Sequence, residues 1–172
     1  SGSSYGTLLA TGLMTMAKEV KGETEVPASR ISSLVAEARD KMQARGKAEL
    51  KTADGAVTVD YGRPVLKGRD MLSKLEEGSF WRMGMNEATV LTGPVDLTFG
   101  TTKVPKGSYS LWLKKEGEKF LLVFNSQTGQ WGTQHDPAKD VYSVAMKSEP
   151  LSAPVEMFTI DLMGAPGGGE LS

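Results

Sequence analysis

The sequence predicts a mainly β protein: an antiparallel β-sandwich or a jelly-roll-like barrel, with one N-terminal amphipathic helix and a short crossover helix. After Gly46, apolar and polar residues alternate with a period of two, as in strands that bury one face. Turn-forming residues interrupt this alternation at intervals of about ten residues, which is typical of antiparallel β architectures and not of alternating βα units. Between Ser29 and Gly46 the apolar spacing is helical instead.

The helix is predicted for about residues 29–45. Ser29 is a candidate N-cap, and Gly46 is a candidate stop. Apolar residues between them recur at helical spacing: Ile31, Leu34, Val35, Ala38 and Met42. The opposite face is charged and is typical of a solvated surface, and a partner-binding face is the alternative interpretation.

Apolar runs predict about six or seven short strands. The runs are 57–61, 95–99, 109–113, 120–124, 141–146 and 156–162. In the last run, Phe158, Ile160 and Leu162 are expected to share one face. Residues 70–77 predict about two helical turns that end at Gly78, placed as a crossover at the rim of the sheet.

These elements predict three parts in the chain of 172 residues. Residues 1–50 are an N-terminal extension, 51–163 the β domain, and 164–172 a glycine-rich tail. The tail has few apolar residues and is expected to be a flexible extension. The chain is long enough to bury a self-sufficient core.

Composition excludes several function classes. The 20 basic and 21 acidic residues give a net charge of −1, so no global field favours nucleic acid or an anionic membrane. The absence of cysteine excludes disulfides, thiolate nucleophiles and cysteine-ligated zinc. The apolar stretch 5–17 is too short to span a bilayer, so no membrane span is predicted.

A first candidate site lies in residues 61–69. Arg63, Lys67 and Arg69 stand close to two glycines and a proline, in a segment where a strand ends and turns. The forked guanidinium groups suit a carboxylate or phosphate, so a small anion is one possible ligand. The alternative is that these cations pair with Asp70, Glu76 or Glu77 and hold the turn in place.

A second candidate group contains Trp81, Arg82 and Asn86, and a third contains Asn125, Gln130, Trp131 and His135. An indole face with amide and guanidinium donors is what carbohydrate recognition requires, and loop 130–135 is the best candidate mouth of such a site. A buried structural network of the same side chains is the alternative.

The chemistry of these groups predicts neither metal nor cofactor. His135 is the only histidine, and the nearby Asp136 and Asp140 supply too few further ligands for zinc or iron. No Gly-x-Ser-x-Gly elbow and no phosphate-loop ending occurs, so no catalytic residue is predicted.

Ordered motifs run through this region: Tyr61-x-Arg63-Pro64-x-x-Lys67-Gly68-Arg69, Trp81-Arg82-x-Gly84-x-Asn86-x-Ala88-Thr89, Pro105-x-Gly107-x-Tyr109, Asn125, Gln130-Trp131-Gly132 and Phe158-x-Ile160. Over about residues 55–162 the chain resembles the bacterial family catalogued as domain of unknown function 2911. The resemblance implies an exported protein, in the periplasm, at the cell surface or secreted. It implies no activity.

The function expected from these observations is structural. We expect an exported, non-enzymatic protein that assembles with other copies of itself through its terminal segments, as an oligomer or an extracellular filament subunit. The alternative is a module that binds carbohydrate or a small anion through Arg63, Lys67, Arg82, Asn86 and Trp131. A hydrolase that uses His135 and a carboxylate is the least favoured interpretation.

Overall fold

The computed structural model describes residues 45–65, 67–68, 70–166 and 168–172. The helix predicted at 29–45 therefore lies outside the described residues, apart from Arg45, which begins a strand. Gly46–Ser172 cluster as one unit. The described residues contain no helix that is long and apolar enough to cross a membrane.

The described residues form eleven strands and one 3-10 turn, Pro137–Lys139. The predicted mainly β, antiparallel fold is confirmed. The strands are β1 (Arg45–Thr52), β2 (Gly55–Gly62), β3 (Phe80–Trp81), β4 (Thr89–Gly93), β5 (Leu97–Phe99), β6 (Thr102–Val104), β7 (Gly107–Glu116), β8 (Lys119–Asn125), β9 (Asp140–Met146), β10 (Leu162–Ala165) and β11 (Gly168–Leu171).

A seven-stranded sheet dominates the fold, with the order β1-β2-β4-β7-β8-β9, and β3 also pairs with β7. The neighbours from β2 to β9 pair antiparallel. Two small hairpins, β5–β6 and β10–β11, stand outside this sheet. The tight turn of the β7–β8 hairpin uses Gly117 at φ 62°, as the Glu116-Gly117-Glu118 sequence predicts.

One face of the main sheet, the core face, carries most of the buried apolar side chains. Successive strand residues point to opposite faces, so alternate residues of each strand meet here. Members from the central strands include Val59, Leu91, Leu111, Leu122 and Phe124, each at most 2% exposed. The core cluster also includes Val104 of β6, with Leu97 and Phe99 of β5 and Leu162 and Leu171 of the β10–β11 hairpin packed against it.

The segment 156–161 does not form the predicted strand. Towards β2 it makes an isolated bridge, Val65 to Met157, and a hydrogen bond from Phe158 N to Pro64 O. The Tyr61 hydroxyl binds the backbone groups of Ile160 that a neighbouring strand would otherwise bind: it accepts from Ile160 N at 3.0 Å and donates to Ile160 O at 3.3 Å. The predicted facing survives, because Ile160 is 3% exposed and Phe158 packs on the same core.

The helix predicted at 70–77 is wrong, because other partners take up the backbone groups of this segment. The Asp70 carboxylate accepts from Leu72 N and Ser73 N, each at 3.1 Å, which closes a turn. The hydrogen bond from Ser73 holds the pKa of Asp70 below its usual value. Leu75 O accepts from the Lys115 ammonium at 2.9 Å, so β7 binds the segment.

The glycine-rich end, predicted as a tail at 164–172, contributes to the hairpin β10–β11. Asp161 and Ser172 exchange two backbone hydrogen bonds and close the open end of this hairpin. A Cβ built at Gly169 would lie 2.8 Å from the Leu50 side chain. The glycines thus allow the hairpin to lie directly on β1.

A loop interrupts what would otherwise be one strand. Trp81 of β3 pairs with Leu113, and Thr89 of β4 pairs with Leu111, so the partner strand β7 has only Trp112 between them. Residues 82–88 therefore leave the sheet and return to it at nearly the same place. We call residues 82–88 the excursion loop.

The excursion loop packs on Gly62, the last residue of β2. A Cβ built at Gly62 would clash with Met85 O and lie 2.9 Å from Met85 N. A Cβ at Gly84 would lie 2.8 Å from Gly62 O. Two glycines thus face each other where the two backbones meet, so segments 61–69 and 81–89 of the predicted motifs do come together.

This contact predicts that Gly62→Ala destabilises the protein by about 3 kcal/mol or more, because the new methyl group meets backbone that cannot rotate away. Urea denaturation measures the change. The matched control is Gly168→Ala, also in a strand, where a Cβ has no neighbour within 4 Å. Equal midpoints for the two variants would contradict the close approach.

Candidate functional site

The candidate site is built where the excursion loop meets the turn at residues 130–132. Ala88 N donates to Gln130 O at 3.1 Å, and Gly132 N donates to Asn86 O at 2.8 Å. An isolated bridge joins Glu87 to Trp131 between these bonds. The two segments therefore form a short extra ladder beside the main sheet.

Gly132 lets the Arg82 side chain cross this ladder. A Cβ built at Gly132 would clash with Arg82 Cδ and would lie 2.8 Å from Asn86 O. The Arg82 Nε donates to Gly84 O at 3.2 Å, within its own loop. Among the described residues, no carboxylate forms an ion pair with its guanidinium group.

The excursion loop contains unusual backbone conformations. Met83 has φ 49° and Asn86 has φ 65°, in the left-handed region that costs a non-glycine residue about 1 kcal/mol. Met83 is 5% exposed, and its carbonyl accepts from the Thr89 hydroxyl at 2.7 Å. These contacts hold the loop in one shape, and such strain is concentrated at functional sites.

Trp131, in the middle of the ladder, is 50% exposed. Gln134 closes the turn behind it: Gln134 N donates to Trp131 O at 2.9 Å, and Gln134 Oε1 accepts from Trp131 N at 3.4 Å. The backbone that carries the indole is thus bound on both sides. We give the name Trp131 surface to the exposed indole together with Arg82, Asn86 and Gln134, the polar residues of the adjoining ladder and turn.

Beneath the Trp131 surface lies a buried polar network on the outer face of the main sheet. Ser110 Oγ accepts from Trp112 Nε1 and from Gln130 Nε2, both at 3.0 Å. Ser110 is fully buried and Gln130 is 6% exposed. Gln130 Oε1 has no partner among the described residues.

The Gln130 amide stays incompletely satisfied in either orientation. Reversing the amide would let Oε1 accept the Ser110 hydroxyl hydrogen, but Nε2 would then be the atom without a partner. An unpaired buried polar atom costs about 1–3 kcal/mol, unless water or another group reaches it. Gln130 thus carries one free hydrogen-bonding position directly behind Trp131.

Asn125 and His135 anchor the loop that carries Trp131. Asn125 is fully buried, and its Nδ2 donates to Asp136 O at 2.9 Å and to Asp140 Oδ1 at 2.8 Å. The same Asp140 oxygen lies 2.9 Å from His135 Nε2. The imidazole ring is tilted against Phe80, at a centroid distance of 4.1 Å. These contacts give the loop two anchors on the sheet.

The predicted cation cluster occupies a different place. Arg63 Nε donates to Phe158 O at 3.3 Å, and Arg63 Nη2 donates to Thr159 Oγ1 at 3.1 Å, so its partners are neutral oxygens. The pairing with Asp70, Glu76 or Glu77 that we considered is not found for Arg63. Trp81 packs edge-on against Phe158 at 5.0 Å.

The other two cations of that cluster are Lys67 and Arg69. Lys67 has φ 50° and is exposed, and its backbone N donates to Glu156 Oε1 at 2.8 Å. Arg69 lies outside the described residues. The described residues contain no cluster of three or more acidic or histidine side chains that could hold a metal ion.

The structure therefore divides the predicted residues into three sets. Arg82, Asn86 and Trp131 belong to the two segments that form the ladder; Asn125, Gln130 and His135 hold the loop that carries Trp131; Arg63 and Trp81 pack around residues 158–159. Sequence reasoning missed Ser110 and Trp112 as members of the site. Their spacing of two residues, which sets both on the outer face of β7, was the one available signal.

These features define an antiparallel β domain in which an interrupted strand and a short extra ladder carry an exposed tryptophan. An arginine side chain crosses the ladder at the residue that follows this tryptophan. The chain belongs to the family described as "Protein of unknown function (DUF2911)", whose model matches residues 43–171. The predicted resemblance is thus confirmed, and the match also includes β1 and the β10–β11 hairpin. Comparisons with curated proteins and with solved structures give no match.

The buried network predicts that Ser110→Ala destabilises the protein by about 3 kcal/mol, because Trp112 Nε1 and Gln130 Nε2 both lose their acceptor. Chemical denaturation measures the loss, with an unchanged m-value. The control is Ser108→Ala, an exposed residue of the same strand whose hydroxyl meets only Thr92 Oγ1. We expect the control to change stability by less than about 1 kcal/mol. Equal losses would show that Ser110 Oγ is not a shared acceptor.

Proposed function

We propose that the protein is a binding module for carbohydrate and that the ligand binds on the Trp131 surface. The observation that carries this proposal is the half-exposed indole of Trp131, whose backbone is fixed in the ladder. The Arg82 side chain crosses the same ladder at Gly132, and no described carboxylate forms an ion pair with its guanidinium group. A tryptophan on fixed backbone is a common anchor of binding sites, because its large amphipathic ring covers a ligand at a low cost in conformational entropy.

The platform supports binding because little order has to be created when a ligand arrives. The ladder to residues 86–88 and the Gln134 turn hold the Trp131 backbone on both sides. A side chain on fixed backbone loses less conformational entropy on binding than one on a mobile loop. The strained backbone at Met83 and Asn86 supports the proposal, because such strain reduces stability and is concentrated in loops that form binding sites.

The chemistry of the surface suits a pyranose ring. The flat apolar face of an indole can cover the C–H face of a sugar, while the amides of Asn86 and Gln134 can bond its hydroxyl groups. Arg82 adds a forked cation that favours a sugar with a carboxylate or a sulfate group. A small anion alone would use the guanidinium but not the indole, so carbohydrate fits the surface better.

Asn125, Gln130 and His135 support the surface in this proposal and do not touch the ligand. The His135 side chain is 11% exposed, and its Nε2 faces Asp140, which fits an anchor better than the base of a hydrolase. We also propose to class the architecture as a β-sandwich, in which the two small hairpins form the layer opposite the main sheet.

Export from the cytoplasm and assembly through the terminal segments stay predictions. Export rests on the family resemblance. Assembly through the C-terminal segment is less favoured than assembly through the N-terminal segment, because β10–β11 packs on the core of its own chain.

The proposal predicts that Trp131→Ala lowers affinity for the bound sugar about tenfold or more, since stacking contacts of this kind contribute about 1–2 kcal/mol. A glycan array with the full chain finds the ligand, and titration calorimetry gives the dissociation constants. Because the indole is half exposed, the thermal midpoint is expected to change little.

The matched control is Leu151→Ala, which removes another exposed apolar side chain, 71% exposed, without touching the site. Arg82→Gln separates acidic from neutral sugars: it should weaken binding of an acidic ligand and reduce the salt dependence of that binding. No binding across the array, or equal affinity of Trp131→Ala and the unaltered chain, would refute the proposal.

A further inference from the structure

The outer strands of the main sheet, β1 and β9, differ in charge. On β1, exposed charged residues alternate along the strand: Lys47, Glu49 and Lys51. On β9, residues 141–146 carry no charge at all. An outer strand presents unpaired N–H and C=O groups, and natural proteins use charged side chains to prevent further pairing there. Among the described strands, β1 has this protection along its length, whereas on β9 only the first residue, Asp140, is charged.

An open groove adjoins β9 on the outer face of the sheet. Its volume is about 260 Å³, and its lining combines apolar residues, among them Phe80, Leu121 and Val123, with polar ones such as Lys114 and Ser143. Val141 at its edge is 45% exposed. The charged groups at the rim already have partners: Lys114 lies 3.4 Å from Glu116, and Asp140 faces His135 and Asn125. The groove therefore offers a partly apolar surface without an uncompensated charge, directly beside a strand that has few charges of its own.

We propose that β9 is an interface through which two copies of this chain pair, antiparallel, to form one continuous sheet. This inference is independent of carbohydrate binding. A twofold axis perpendicular to the sheet keeps the core faces of both copies on one side. With the axis at Val144, Tyr142 of one copy lies opposite Met146 of the second on the core face, and Ser143 lies opposite Ala145 on the outer face.

The charges at the two ends of β9 favour this partner and this direction. The strand begins at Asp140, which follows Lys139, and it is followed by Lys147 and Glu149. In the antiparallel pair, Lys139 of one copy comes opposite Glu149 of the second, and Asp140 comes next to Lys147; symmetry repeats both contacts. Parallel pairing would instead bring like charges together. Electrostatic complementarity of this kind fixes the register more than it adds affinity.

The present partners of these end charges do not oppose the pairing. Lys147 lies 2.5 Å from Glu149, and Lys139 lies 3.7 Å from Asp136. All four side chains are 45% or more exposed, and exposed pairs contribute little, so they can exchange partners at small cost. The aliphatic part of Lys147 would cover Val141 of the second copy.

Sedimentation equilibrium of the full chain over a wide concentration range tests the interface. We expect a reversible dimer, and we expect Ala145→Lys to raise its dissociation constant about tenfold or more, because the lysine puts a charge at the centre of the new pair. The matched control, Glu49→Lys, changes the charge of the other outer strand and should leave the constant unchanged. Circular dichroism shows whether each variant is folded.

A monomer at every concentration, or a dimer that Ala145→Lys does not weaken, overturns the proposal. Disulfide cross-linking gives a second test. Since the chain has no cysteine, only the introduced cysteines can form the disulfide. Directly opposite Cβ atoms lie about 4.5–5.5 Å apart, close to disulfide distance. Ser143→Cys mixed with Ala145→Cys should therefore cross-link faster than either variant alone. No excess of the mixed dimer overturns the proposed pairing.

Discussion

The close backbone approach between the excursion loop and its glycines is the constraint on which the rest of the site depends. A loop that leaves a sheet opposite a single residue, Trp112, has to return within a very small space. It does so by lying on Gly62 at one side and on Gly132 at the other, where a side chain would collide with backbone or with Arg82. Without these two glycines, neither the ladder to Trp131 nor the path of Arg82 exists.

The buried polar groups of the outer face solve a second problem, which the loop 126–139 creates when it covers part of the sheet. Buried backbone groups without partners are costly, and Asn125 satisfies two of them: it donates to Asp136 O and accepts from Gln127 N. The same side chain also fixes Asp140, which orients His135 between aromatic rings. The polar side chains of Asn125, Asp140 and His135 thus hold a loop against a sheet.

The sequence alone predicts the long central strands well, because their burial follows simple alternation. Val57, Val59 and Tyr61 on β2 are typical. It does not predict β1, in which Ala48 and Leu50 stand between charged residues that equally suit the end of a helix. It fails at residues 70–77 because Asp70 and Lys115 capture the backbone there, and the contact with Lys115 crosses a large separation along the chain.

The same distinction between local and distant information applies to the site. Trp131 and its flanking glycine are visible as a motif, whereas the meeting of Arg82 with Gly132 depends on how two distant segments pack. The left-handed conformations of Met83 and Asn86 are also outside local preference, since glycine usually takes such positions. Tertiary contacts have to supply the roughly 1 kcal/mol that each costs. Gly62, Thr89 and Gly132 make such contacts, so these residues determine the shape of one surface as well as the stability of a core.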